Sequence, residues 1–190
     1  MGDIAGRGVG IGIIGARVLP SGFRAQVSDV VRYLLDSGYN IYSGGALGTD
    51  MYALETVSCC GAYSRAVIFS AWSSVVGFPR VVQPLIERYK QHGGKISWGL
   101  VQPYDGRQQV VRGLLYRNRR LVSSVIGLVA FLYGESRGTT GTVLEAIKRN
   151  IKVVVFDCGG GSILPDISGG SWHRLNCVGC FCGAYLFRPD

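Results

Sequence analysis

Fully apolar runs, helical periodicity between them and Gly-rich turns at the junctions predict an α/β chain. The class they specify is a three-layer, Rossmann-like sandwich with a mostly parallel sheet, followed by a short Cys/Gly-rich C-terminal appendage. Runs such as VGIGIIGA (residues 9–16) and VIGLVAFLY (125–133) show no polar alternation, so both faces of each strand must be buried. Parallel strands need long crossovers, and helical segments stand between the runs.

The elements follow in order. After the strand at 9–16 comes a helix at 21–38, where Val27, Val30, Val31, Leu34 and Leu35 recur at helical spacing and Gly38 is a stop. A second strand (39–44), a helix (50–61) and a third strand (62–71) come next. Residues 80–94 read as a helix closed by Gly93-Gly94, and 95–101 as another strand. A helix over 106–124 leads into the apolar strand at 125–133, then a helix at 141–150 and a last strand at 151–157. No linker or repeat interrupts the series, so residues 1–157 are expected to form one domain. Periodicity fades after Cys158, and 158–190 are expected to be an appendage packed on that domain.

A chain of 190 residues, 47% of them hydrophobic, can bury a sizeable core. No apolar stretch reaches the roughly 18 residues of a membrane-spanning helix. The opening MGDIAGRGVG lacks the basic-then-apolar order of a signal peptide and the Ser/Thr of a myristoylation site. The expectation is a soluble, cytoplasmic protein with no membrane partner. The net charge is +8 with only 17% charged residues, a balance that favours anionic partners such as nucleic acid or nucleotides.

Ligands of such sheets bind beyond the carboxyl ends of the strands. Three motifs fall there. GIIGAR puts Gly15 and Arg17 past the first strand; the glycine admits a close backbone approach or simply makes the turn, and the arginine can fork onto phosphate. SGGALGTD puts Ser43, Gly44, Gly45, Gly48 and Asp50 past the second, where exposed amides and a helix N-terminus suit an anion. Asp50 either caps that helix or orders a partner arginine. GESRGTTGTVLE puts Gly138, Thr139, Gly141 and Thr142 around a helix expected to begin near Thr142, with Glu145 in its first turn. A fourth feature, YRNRR at 116–120, is either a solvated face or a grip on something negative; Arg112, Tyr116 and Arg119 or Arg120 share a helical face there. That face reaches the ligand edge only if the helix start overhangs it.

Taken in order, GIIGAR, SGGALGTDMYALE and YRNRRLVSSV resemble the DNA-processing protein A (DprA/Smf) branch of the SLOG superfamily. The resemblance runs from about Val9 to Gly160 and implies a Rossmann-like fold, a basic pocket for nucleotide or single-stranded DNA phosphates, and self-association into a homo-oligomer. Matched motif by motif, it implies that Arg17, Ser43, Gly44, Gly45, Gly48, Asp50, Arg117, Asn118 and Arg119 line that pocket. Tyr116 and Trp98 are candidates for stacking on bases. Three departures stand out. The length leads to the expectation that the extra N- and C-terminal domains of many relatives are not present, and Ser97-Trp98 replaces the usual Ser-Glu. RGTTGTVLE is closer to the Gly-Gly-x-Gly-Thr-x-x-Glu of the LOG branch, the nucleoside-monophosphate phosphoribohydrolases. That second resemblance implies Arg117 and Glu145 at a glycosidic bond, with Gly138, Gly141 and Thr142 holding phosphate, provided Glu145 faces the pocket.

The tail holds HRLNCVGCFC. His173, Cys177, Cys180 and Cys182 can make four zinc ligands around one C-x₂-C knuckle; buried thiols or a disulfide are the other readings, and no cofactor is otherwise implied. The GAYLFRP segment suits a sheet edge or a neighbouring subunit.

Overall fold

The computed structural model of the protein describes residues 9–176 and 179–190. The strands are β1 (Gly10–Gly15), β2 (Asn40–Ser43), β3 (Ala66–Phe69), β4 (Lys95–Ser97), β5 (Gly127–Leu132), β6 (Lys152–Asp157), β7 (Gly170–Arg174) and β8 (Tyr185–Pro189). The helices are α1 (Ser21–Asp36), α2 (Thr49–Cys59), α3 (Gln83–Gln91), α4 (Arg107–Val122) and α5 (Arg137–Lys148). One sheet runs β4-β3-β2-β1-β5-β6-β8-β7. Its first six strands are parallel and β8 and β7 close it antiparallel.

Burial on both faces explains the apolar runs. Every residue of β5 is buried. Val129 and Phe131 pack into the core shared with α1, α2 and α3, while Leu128, Ala130 and Leu132 join the core under α4 and α5. Phe131 stacks on Phe156 of β6 at 4.6 Å and 6°. Each large apolar side chain buried this way contributes roughly 1.5–3 kcal/mol. The five apolar positions expected on α1 are the ones it buries.

Two boundaries near the site differ from expectation. β4 ends at Ser97, after which Val101 rejoins the sheet only by a single bridge to Trp72. α5 starts at Arg137 and not near residue 141; Thr139 and Thr142 are buried and carry both glycines into the helix. That packing outweighs the roughly 1 kcal/mol that each helical glycine costs.

The tail is more regular than its sequence suggests. β8 pairs with β6 through Val154–Leu186 and Val155–Tyr185, so GAYLFRP lies on the sheet edge, and β7 forms the outermost strand. β7 is mostly exposed and lacks apolar alternation, which hides it from pattern reading. Phe181 folds back onto Tyr33 of α1 at 5.6 Å. Cys59, Cys60, Cys158 and Cys180 are free thiols. Burial, then the nearby Asp157 charge, pushes the Cys158 thiol up to about 12. The His173 ring meets Ser171 Oγ at 3.0 Å. Among the described residues no three His, Cys, Asp or Glu side chains converge on a metal site. Cys177, and the N-terminal residues 1–8, lie outside them. Among the described residues no helix is long and apolar enough to cross a membrane.

Candidate functional site

Strand order reverses on either side of β1, so the loops after β1 and β5 diverge and leave a crevice at their carboxyl ends. A cavity of about 460 Å³ occupies it. Gly15 and Arg17 form one side, and Tyr133, Glu135 and Ser136 the other. The start of α5 supplies Gly138, Thr139 and Thr142. α4 overhangs the sheet, so Val111, Leu114, Leu115, Arg117 and Asn118 close the top. A second cavity of about 310 Å³ adjoins it and shares Arg17, Ala46, Leu114 and Arg117 as a common wall.

Arg117 is the centre of this arrangement. It descends from α4 and is only 8% exposed. Its Nη1 donates to Asp50 Oδ2 at 3.4 Å, across 67 residues of sequence, and the same oxygen accepts from the Ala46 amide at 3.2 Å. The guanidinium lies against Gly44: a Cβ there would fall 1.1 Å from Nη1. Burial pushes the Asp50 carboxyl above the usual carboxylate range, with Arg117 and backbone amides opposing it. Burial likewise lowers Arg117, Asp50 pulls it back up, and the Arg17 charge lowers it again. Arg17 therefore stands close enough for like-charge repulsion, is exposed, and makes no ion pair among the described residues. Arg117 Nε is buried without a hydrogen-bond partner. An unpaired buried donor costs about 1–3 kcal/mol. Two arginines beside one buried carboxylate give this wall of the crevice the charge balance that can receive an anion.

The start of α5 adds to it. Its first internal bond runs from Thr140 N to Ser136 O, leaving the amides before it without intrahelical partners at the cavity rim. Asn118 Nδ2 donates to Thr142 Oγ1 at 2.8 Å, which ties α4 to α5.

Several predicted residues have other work. The SGGALGTD loop clasps the first loop and is not itself an open cradle. Thr49 N and Oγ1 both donate to Ala16 O at 3.2 Å. Gly48, with φ 74°, sits against the Ala16 and Arg17 carbonyls, where any Cβ would collide at 2.4–2.5 Å. Ser43 is fully buried. Gly44 and Gly45 border the second cavity only. Arg119 is exposed and lines neither cavity, because residues two apart on a helix point to opposite sides. The Arg112–Tyr116–Arg119 face is solvent-exposed. Arg120 is structural: it donates to Trp98 O at 3.0 Å and to Ser97 Oγ, binding α4 to the end of β4. Trp98 is half-buried against Phe78 and lines neither cavity.

Gly141 and Glu145 also lie off the site. Because α5 begins at Arg137, Glu145 falls in its third turn. There it pairs with Arg149 at 2.7 Å, and Arg149 also donates to Ser123 Oγ at 2.7 Å. The geometry that a glycosidic-bond role for Glu145 requires is absent. Glu145→Gln is expected to change anion affinity by less than about twofold and stability by no more than about 0.5 kcal/mol, checked by titration and urea melts.

Sequence reading missed the apolar parts of the site. Trp72 directly follows the third strand, so the same carboxyl-edge rule would have found it; Val110 and Leu114 needed the overhang of α4.

A family model described as DNA recombination-mediator protein A matches residues 2–172. Among solved structures, the fold is similar to DNA processing protein A from Helicobacter pylori, a structure concerned with that protein's single-stranded DNA binding mode. The TM-score is 0.63 at 23% identity, covering 77% of this chain and 64% of that one. It is also similar to DNA processing protein A from Streptococcus pneumoniae, with TM-score 0.61 at 21% identity, covering 83% of this chain and 52% of that one. The chain thus spans less than two thirds of either protein's length. A comparison with curated proteins finds no match.

Proposed function

Because the chain belongs to the DNA recombination-mediator protein A family, we propose that it holds single-stranded DNA by its phosphates in the crevice between β1 and β5. The observation that carries this reading is the convergence of Arg17 and Arg117 at the start of α5, where one buried carboxylate balances only one of the two charges. A phosphate at the mouth would meet the free charge of Arg17, the positive end of α5 and the Asn118–Thr142 pair. DNA processing during recombination is the setting we propose with it, together with self-association of the chain.

The nucleoside-monophosphate hydrolase reading loses its acid, since Glu145 is engaged with Arg149 outside the cavity. The phosphate-binding part of that reading survives as a competitor, in which a free nucleotide occupies the same crevice.

Fluorescence anisotropy of a labelled single strand at several salt concentrations tests the proposal, with duplex as control. Affinity is expected to fall with salt, each neutralised phosphate contributing about 0.7 to the logarithmic slope. Arg17→Ala should lower that slope by about that amount. Arg119→Ala, on the outer face of α4, should change affinity less than Arg17→Ala does. Absence of binding at low salt, or equal affinity for duplex, would sink the reading.

A further inference from the structure

The two edges of the sheet are not alike. β4, at one end, is three residues long and opens on Lys95, a form that discourages a further strand. β7, at the other end, runs for five residues, Gly170–Arg174, with no lysine or proline among them. Its register shows which backbone groups are already bonded. Asp190 N donates to Gly169 O at 3.2 Å and Leu175 N donates to Ala184 O at 2.7 Å, so the odd-numbered residues bond to β8. Pro189, which has no N–H to give, accordingly stands opposite Gly170. The N–H and C=O groups of Gly170, Trp172 and Arg174 therefore point away from β8, and no hydrogen bond from another described residue reaches them. The same three residues share one face. Trp172 is pinned there by its Nε1, which donates to Pro165 O at 2.9 Å, and by the Phe187 ring at 5.2 Å. Phe187 also covers Gly170, where a Cβ would fall 2.4 Å from the ring.

An open row of backbone donors and acceptors is a template for another strand, and the side chains decide which strand fits. Centred on Trp172, antiparallel pairing of β7 with a second β7 sets Trp172 beside its own copy, Ser171 opposite His173 and Gly170 opposite Arg174. The strand's one permanent charge thus meets a glycine and never another arginine. Each Arg174 gains the room that a missing side chain leaves, with the Phe187 ring that covers this glycine as the surface it lies on. We infer that two copies of this chain join through β7, making one sheet continuous across both. This rests on the self-association proposed above and gives it an interface; it does not depend on the phosphate grip. Because β7 runs parallel to β6, the pairing sends the two crevices to opposite edges of the joint sheet. Five residues a side make a small interface, so the dimer is weak and concentration-dependent.

Sedimentation equilibrium of the full chain without DNA, over about a hundredfold range of concentration, gives the first reading. Wild type is expected to pass from monomer to dimer and go no further, because a two-fold pairing uses up the β7 edge of each copy. Arg174→Pro removes one outward N–H from each copy and leaves every bond to β8. It should weaken the dimer about tenfold or more, with an unchanged circular dichroism spectrum. A mixture of Ser171→Cys and His173→Cys chains tests the register. The two positions stand opposite each other at a non-hydrogen-bonded site, where Cα atoms approach to about 4.5 Å. Under mild oxidation the mixture should form more covalent dimer than either variant alone or wild type, whose exposed Cys59 and Cys60 set the background. A wild type that stays monomeric throughout would overturn the self-association and the β7 pairing with it. A dimer undiminished by Arg174→Pro, or a mixture that cross-links no more than its parts, would overturn the β7 pairing alone and leave the copies to meet elsewhere. Growth past the dimer would mean end-to-end pairing of β7 with β4 and overturn the two-fold one.

Discussion

Arg117→Ala is expected to lower single-strand affinity about ten- to a hundredfold, the loss of a charged hydrogen-bonding partner. It is also expected to destabilise the fold by about 3 kcal/mol near neutral pH, because Asp50 would stay buried with its counter-charge gone. The pH dependence separates this cause from simple loss of packing. Burial already raises the Asp50 carboxyl, and Arg117 is the largest force opposing that rise. Without Arg117 the folded carboxyl titrates higher still, while the unfolded one keeps its ordinary value. As pH rises above that ordinary value, the unfolded chain releases its proton first and gains stability relative to the folded one. The deficit against wild type should therefore grow as pH rises from the acid range, where both folded carboxyls are protonated, towards neutrality, and shrink on acidification. Adding Asp50→Asn should recover most of the stability and none of the binding. Urea melts across that range, with the double variant included, provide the check. A deficit of equal size at every pH would mean that Arg117 acts by packing alone.

Gly44→Ala should reproduce the binding defect from the other side of the contact. One methyl group placed 1.1 Å from Nη1 and 2.8 Å from Asp50 Oδ2 cannot coexist with the guanidinium in its present position. The arginine must leave the pair, so affinity should fall about as far as in Arg117→Ala, again about tenfold or more. The matched control is Gly141→Ala, where nothing lies within 4 Å of the added Cβ and the helix gains a better former. It should bind normally and melt at equal or higher urea. If Gly44→Ala binds like wild type, the buried Arg117–Asp50 pair is not what positions the site.

The two glycine-rich loops show what pattern reading can and cannot settle. Each was legible as punctuation past a strand, and both do lie at the ligand edge. Their roles differ for reasons no local pattern carries. Gly48 serves loop-to-loop packing, and Gly44 makes room for an arginine from a distant helix. Gly138 and Gly141 looked like the same kind of cradle and instead sit within α5, where Gly138 lines the cavity and Gly141 does not. That earlier start moved Glu145 from the expected first turn to the third, and with it the residue on which the hydrolase resemblance depended.

The RNRR cluster divides in the same way. Helix geometry alone forbids Arg117 and Arg119 from facing one side, and the buried Leu121 lies four residues beyond Arg117. The inward arginine was thus legible from spacing, although the family motif drew both together. Its partner was not, since Asp50 is 67 residues away.

By itself the sequence determined the order and kind of the elements through β6 and the edge of the sheet where the candidate crevice lies. Those follow from apolar periodicity and strand burial, which are local properties of the chain. Tertiary structure alone decided which charges meet, which glycines are required, how far α4 overhangs the sheet, and that an aromatic cavity opens beside the arginines. The physical reason is that desolvation, ion pairing and steric fit act between residues brought together only when the chain, having laid β2, β3 and β4 on one side of β1, crosses to lay β5 on the other.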